Sequence, residues 1–160
     1  MAQREFDVVI LGAGPAGEVC AGRLGEAGLE VAVVEPHLLG GECSYYACMP
    51  SKALLRPAEA LAAARAVPGA AEAVTGELAR DRVFWHRDQV TSGWDDSGQE
   101  EYLAGIDVEL VRGAGVVTAP GRLEVDGRPL EYEKLLVATG SVPSIPPVPG
   151  LADVEYWTNR

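Results

Sequence analysis

The chain has 160 residues, of which 48% are hydrophobic, and a formal net charge of −11. This length suits one domain with its own hydrophobic core and is too short for two domains of ordinary size. So acidic a surface repels phosphate backbones and anionic lipids, which argues against nucleic acid and membranes as partners. The apolar run of residues 6–11 breaks at Gly12 and lacks the cleavage site of a signal peptide, so we expect a cytoplasmic protein.

The first predicted unit is a strand, a glycine-rich turn, a helix and a second strand. Residues 6–11 and 30–35 are largely apolar runs of strand length, as is typical of buried parallel strands. The helix predicted between them covers about 15–27. Gly28 follows at the point where a helix end favours a left-handed residue.

Helices dominate the middle of the chain. One is predicted to begin near two cysteines, to bend or restart at Pro57 and to continue over 58–67, before a turn at residues 68–69. A second helix is predicted over 81–94. Residues 107–112 have the composition of a third parallel strand.

The pattern changes after Gly113. Short β-type runs at 116–118, 123–125 and 130–132 are separated by the turn dipeptides Pro-Gly and Asp-Gly, which predicts an antiparallel meander. Residues 134–138 then predict a further buried strand. The proline-rich residues after it have the composition of a linker.

The glycine-rich turn carries the pattern G-x-G-x-x-G between a strand and a helix. Gly12 permits the tight turn, Gly14 lets the backbone approach a pyrophosphate, and Gly17 lets the helix pack close to the strand. The helix start offers free N–H groups and partial positive charge to phosphates. Glu35 ends the second strand, where a carboxylate can accept hydrogen bonds from both ribose hydroxyls. The motif predicts a dinucleotide site but does not separate FAD from NAD.

Cys43 and Cys48 are candidates for a redox pair. In a reducing compartment a close cysteine pair is more often redox-active or metal-binding than structural. The chain has three cysteines and two histidines, which argues against a four-ligand zinc site, and we expect no metal. In an ideal helix this spacing gives a rise of about 7.5 Å, beyond the usual ~4.4–6.8 Å between disulfide Cα atoms. A distorted helix start, aided by Pro50, makes a bridge feasible and favours a thiolate.

Residues 40–52, GGECSYYACMPSK, resemble the active-site signature of the pyridine nucleotide–disulfide oxidoreductases, whose usual pattern is GGTCxxxGCxPSK. Residues 138–143 match the ATGSxP motif of the same family. The resemblance implies an α/β fold, a Rossmann-like FAD-binding domain of glutathione reductase type with a parallel sheet, helices and a small antiparallel meander. It places this domain at 1–145 and a linker toward an absent NAD(P)-binding domain at 146–160.

The resemblance also implies roles. Cys43 would exchange with substrate, Cys48 would lie against the flavin, and Lys52 would lie near flavin N5. The implied cofactors are FAD and, in the full-length enzyme, NAD(P)H, with a homodimeric assembly and a small disulfide or dithiol substrate. Together the motifs and the resemblance predict these cofactor-binding residues: Gly12, Gly14, Pro15, Ala16, Gly17, Glu35, Pro36, Gly41, Glu42, Cys43, Lys52, Ala114, Gly115, Ala138, Thr139, Gly140 and Ser141.

Two positions depart from the family pattern. Glu42 replaces a threonine, and a carboxylate beside a pyrophosphate is repelled unless it turns outward. Ala47 replaces a glycine, which a helix tolerates. Three substrates stay open: dihydrolipoamide, a low-molecular-weight disulfide and mercuric ion. Two other functions stay open as well: a non-catalytic FAD-binding fragment, and an NAD-binding Rossmann protein with incidental cysteines.

Overall fold

The computed structural model describes residues 5–160, so that the first four residues of the predicted domain lie outside it. The described residues form six strands and five α-helices. In chain order these are β1 (Glu5–Leu11), α1 (Pro15–Glu26), β2 (Val31–Glu35), α2 (Gly41–Tyr45), α3 (Cys48–Ala66), α4 (Arg80–Val90), α5 (Ser97–Gly105), β3 (Glu109–Arg112), β4 (Gly115–Ala119), β5 (Arg122–Val125) and β6 (Arg128–Val137).

The six strands form one mixed sheet in the order β3-β2-β1-β6-β5-β4. The four strands β3, β2, β1 and β6 are parallel, and β5 and β4 continue the sheet antiparallel. This arrangement confirms the predicted α/β class with its parallel core and antiparallel meander. The two strands predicted at 130–132 and 134–138 are one strand, β6, whose start pairs with β5 and whose end pairs with β1.

The central strands are buried on both faces, which explains their continuous apolar sequences. In β2, Ala32 and Val34 pack into one core cluster with Leu123 of β5. Val31 and Val33 point to the other face and pack with side chains of α1 and α5. The hydrophobic core therefore fixes the register of the strands whose carboxyl ends carry the glycine turn and Glu35.

Three helices differ from the prediction. Helix α3 continues through Pro57 as one element. Helix α4 ends at Val90 and is followed by a 3₁₀ turn over Ser92–Trp94. Helix α5 was not predicted, because it is short and largely polar; among its residues Leu103 alone is buried.

Residues 143–160 contain no strand and a single 3₁₀ turn, Leu151–Asp153. Within residues 5–160, no helix has both the length and the apolar character needed to cross a bilayer.

Gly17 allows α1 to lie directly against the turn that precedes it. A Cβ atom at Gly17 would lie 1.9 Å from the carbonyl oxygen of Gly12, far inside van der Waals contact. Gly12 has φ of +96°, and a Cβ there would lie 2.4 Å from the carbonyl oxygen of Ala138, which follows β6. At Gly12 and Gly17 the turn is thus packed against backbone atoms, and no side chain fits at these two positions.

We expect Gly17→Ala to lower the free energy of unfolding by about 1–3 kcal/mol, because helix α1 must move away from β1 to admit the methyl group. Gly98→Ala is the matched control, since a Cβ there meets nothing within 4 Å. That change should be neutral or stabilise α5 by up to about 1 kcal/mol. Denaturant unfolding measures both, and a Gly17→Ala variant as stable as the wild type would contradict the close packing.

Candidate functional site

A cavity of about 510 Å³ opens at the carboxyl ends of β1, β2 and β6. This is the edge at which open parallel sheets bind ligands, and the volume is in the ordinary range for a small-molecule site. Most of the predicted cofactor-binding residues line it: Gly12, Gly14, Pro15, Ala16, Glu35, Pro36, Gly41, Glu42, Ala114, Gly115, Ala138, Thr139, Gly140 and Ser141. The structure thus brings together four segments that are distant in sequence.

Glu35 ties two of these segments to each other. Its side chain is buried, with 8% of its surface exposed. Oε2 accepts a hydrogen bond of 2.8 Å from the Ala13 N–H, and Oε1 accepts one of 2.8 Å from the His37 N–H. Because a carboxylate has about four acceptor positions, both oxygens keep capacity for further donors. The group is therefore held rigidly and can still bind hydroxyl groups at the cavity.

The glycine turn presents open backbone to the cavity. Gly14 caps α1 in an extended conformation that any residue adopts, and a Cβ there would meet nothing within 4 Å. Pro15 begins the helix, followed by Ala16, whose N–H lies in the first turn, where intrahelical acceptors are lacking. The partial positive charge of the helix start favours an anionic group here.

The loop after β2 is held by a network that sequence reasoning missed. The guanidinium of Arg112, at the end of β3, donates to the His37 carbonyl oxygen and to the carboxylates of Asp96 (2.6 Å) and Glu100. Asp96 Oδ2 also accepts a 2.7 Å hydrogen bond from the N–H of Leu39. Burial opposes the charge of Arg112, but the hydrogen bonds to both carboxylates outweigh it and raise the pKa of its guanidinium. No local motif signals this network, because its members are far apart in sequence.

The cysteines lie on either side of a break between two helices. Helix α2 ends at Tyr45, and Tyr46 and Ala47 have non-helical backbone angles before Cys48 begins α3. The N–H groups of Tyr46 and Ala47 both donate to the Glu42 carbonyl oxygen, at 2.9 and 2.6 Å. The expectation that a helix would accommodate Ala47 was wrong, since this residue lies between helices.

Two side chains explain why the helix stops there. In a continuing helix the Tyr45 carbonyl would bond to the N–H four residues on; here it accepts the indole N–H of Trp94 at 3.2 Å. The next carbonyl, that of Tyr46, would face Pro50, which has no N–H to donate. Pro50 thus acts as expected, whereas the contribution of Trp94 was not foreseen.

The break brings the thiols of Cys43 and Cys48 within hydrogen-bonding contact. Both are free thiols in this structure and partly buried. The hydrogen bond to Cys48 raises the pKa of the Cys43 thiol, burial adds to this, and the positive charge of Lys52 lowers it in part. The expectation of a favoured thiolate is therefore wrong for Cys43 in the dithiol state. The hydrogen bond to Cys48 and burial together raise the pKa of Cys43 more than the charge of Lys52 lowers it.

Three predicted cofactor-binding residues do not line the main cavity. Gly17 packs behind the glycine turn, and Cys43 faces Cys48. Lys52 is exposed and lines a second cavity of about 370 Å³ between α3 and α4, together with Met49 and His86. Within residues 5–160, no group of three or more His, Cys, Asp or Glu side chains has the geometry to hold a metal ion.

The fold is that of the FAD-binding domain of flavoprotein disulfide reductases. It superposes on the solved HOCl-induced flavoprotein disulfide reductase RclA from Escherichia coli with a TM-score of 0.74 and 24% identity, covering 92% of this chain and 31% of that one. At this identity the likeness shows the shared fold.

The chain belongs to the pyridine nucleotide-disulphide oxidoreductase family, whose sequence model matches residues 6–159. It is 30% identical over 159 residues to a mercuric reductase of Staphylococcus aureus, covering 97% of this chain and 28% of that protein. It is 28% identical over 152 residues to a dihydrolipoyl dehydrogenase of Acholeplasma laidlawii, covering 94% of this chain and 45% of that protein. The chain thus spans less than half the length of these relatives.

The hydrogen bond between the thiols predicts how Cys43 reacts with iodoacetamide, because the thiolate is the reacting species. In a Cys20→Ala background, Cys48→Ala removes the largest cause that raises the Cys43 pKa and should move the pH–rate profile of Cys43 to lower pH. Lys52→Gln removes a charge that lowers this pKa and should move the profile to higher pH. Mass spectrometry of the Cys43 peptide between about pH 7 and 10 measures both shifts.

Cys48→Ser is the matched comparison for the alkylation experiment, since it keeps a hydroxyl as a hydrogen-bond partner. Its profile should lie between those of the wild type and Cys48→Ala. A Cys43 profile that is unchanged by Cys48→Ala, or moved to higher pH, would show that no hydrogen bond from Cys43 to Cys48 raises its pKa.

Proposed function

We propose that this chain is the FAD-binding part of an FAD-dependent NAD(P)-disulfide oxidoreductase in which Cys43 and Cys48 alternate between dithiol and disulfide. The observation that carries the proposal is the contact between these two thiols at a helix break, next to a cavity with the features of a dinucleotide site. Family membership supports the reaction class, and the whole-protein activity is inferred from it.

The cavity residues fit FAD. Glu35 would accept the hydroxyls of the adenosine ribose, and the start of α1 would face the pyrophosphate. Ala114 and Gly115 would contact the adenine, while the chain at 138–141 would run along the cofactor. When bound, FAD would accept a hydride from NAD(P)H and supply the electron pair that reduces the disulfide.

The two cysteines would perform the exchange with substrate. Reduction of the disulfide consumes two electrons and two protons and leaves thiols on Cys43 and Cys48. The Cys43 thiolate would attack a substrate disulfide, forming a mixed disulfide and releasing one substrate thiol. Cys48 would then attack the Cys43 sulfur, release the second thiol and restore the disulfide. Lys52 would stabilise negative charge near the pair, consistent with its effect on the pKa of Cys43.

For the complete protein we propose a homodimer that acts on a small disulfide or dithiol, with residues 1–145 as the FAD-binding domain. Residues 146–160 would lead toward the NAD(P)-binding domain. Relatives named as mercuric reductase and as dihydrolipoyl dehydrogenase leave dihydrolipoamide, a low-molecular-weight disulfide and mercuric ion as the candidate substrates.

Reductive titration of the FAD-loaded chain with dithionite tests the proposal. We expect uptake of two electron pairs per chain, one by the flavin and one by the disulfide. A long-wavelength charge-transfer band should appear after uptake of the first electron pair. Cys48→Ser should bind FAD and lack this band. Cys43→Ser should show the charge-transfer band without added dithionite, because the Cys48 thiolate then faces the flavin and has no cysteine with which to form a disulfide.

A Cys48→Ser variant that keeps the band would overturn the role of Cys48. Uptake of one electron pair by the wild type would instead favour a FAD-binding protein without disulfide chemistry. Binding of NAD in preference to FAD would favour a Rossmann protein with incidental cysteines.

A further inference from the structure

We propose that Arg160, positioned by Glu42, is an anion-binding residue of the main cavity and faces the pyrophosphate of the bound dinucleotide. The inference deepens the proposed function and rests on it. It assigns a role to two residues that neither the glycine motif nor the cysteine signature explains.

Glu42 and Arg160 form an ion pair at the cavity. Arg160 Nε donates to Glu42 Oε1, and the side-chain amide of Asn159 donates to Glu42 Oε2, so both carboxylate oxygens are engaged. The Arg160 guanidinium also lies 4.9 Å from the centre of the Tyr46 ring. Two contacts thus hold the cationic group of Arg160, a third fixes the carboxylate of Glu42, and both Glu42 and Arg160 line the cavity.

The charges that line the cavity indicate what the ion pair between Glu42 and Arg160 contributes. Among the described residues that line it, the carboxylates are Glu35 and Glu42, and Arg160 is the one Lys or Arg side chain. A pyrophosphate adds negative charge to a site that already holds two acidic groups. The partial charge of a helix start is about half an elementary charge. Arg160, although partly offset by Glu42, adds the one full positive charge of a Lys or Arg side chain among these residues.

The geometry of arginine permits both contacts at once. A guanidinium has five N–H donors in a planar fork, and arginine commonly binds phosphate groups through such forks. The hydrogen bond to Glu42 uses Nε, which leaves the terminal nitrogens for phosphate oxygens. Glu42 therefore acts as a positioning residue, turned toward Arg160 instead of repelling the cofactor. This explains how the chain accepts a glutamate where the family pattern has threonine.

Binding of ADP and of adenosine to the purified chain isolates the pyrophosphate contribution. We expect Arg160→Gln to raise the Kd for ADP and for FAD by about tenfold, the usual effect of losing a hydrogen bond to a charged group. The Kd for adenosine, which has no phosphate, should change less than about twofold. Added salt should weaken ADP binding more in the wild type than in Arg160→Gln.

Arg80→Gln is the matched control, because it makes the same charge change at an exposed site at the start of α4. It should leave the Kd for ADP unchanged. Loss of an exposed ion pair hardly affects stability, so thermal unfolding midpoints should be alike in all these variants, and differences in affinity will reflect binding.

A double-mutant cycle tests the positioning role of Glu42. In the wild-type background Glu42→Gln should weaken ADP binding, because Arg160 loses the group that holds it. In the Arg160→Gln background the same change should strengthen ADP binding, because an unpaired carboxylate is removed from beside the phosphates. Weakening in both backgrounds, or strengthening in both, would overturn the positioning role.

Equal or tighter ADP binding by Arg160→Gln would overturn the inference. That result would leave the charge-transfer band and the electron uptake of the thiols untouched. Conversely, failure of the thiols to accept electrons would overturn the proposed function while the ADP affinities still report on Arg160. The two failures are therefore distinguishable.

Discussion

The contact between Cys43 and Cys48 depends on one interruption of the backbone. If α2 and α3 were a single regular helix, the two sulfurs would lie more than a helical turn apart along its axis. The helix stops because the Tyr45 carbonyl bonds to Trp94 and because Pro50 offers no N–H. Two N–H groups then converge on the Glu42 carbonyl oxygen and fold the chain tightly enough for the thiols to form a hydrogen bond.

The same segment is held against the glycine turn that lines the main cavity. The N–H of Gly40 donates to the Ala13 carbonyl oxygen at 2.7 Å, and a Cβ at Gly41 would lie 2.9 Å from the Cα of Gly14. The cysteine segment therefore packs directly against the glycine turn. Short backbone contacts thus fix the position of the two thiols relative to the cavity.

Local sequence signals were sufficient to predict the strands β1 and β2 and the glycine turn that lines the main cavity. The apolar runs of β1 and β2 were predictable because their composition is a local signal, and Glu35 was predictable because it stands at a fixed distance from the glycine motif, although its carboxylate bonds to Ala13, 22 residues away. The Arg112 network and Trp94 were not predictable, because their partners lie between 12 and 75 residues away in sequence and carry no motif. The direction of the shift in the Cys43 pKa was also not predictable from the sequence, because it depends on which of the two thiols donates the hydrogen bond.

Disulfide mapping of the oxidised protein tests most directly whether the helix break joins the two sulfurs. After equilibration with oxidised glutathione, digestion and mass spectrometry should find one linked peptide pair, Cys43 with Cys48, and Cys20 as a free thiol. A bridge between Cys20 and either partner, or glutathione attached to Cys43 and Cys48 with no link between them, would contradict the structure of the break.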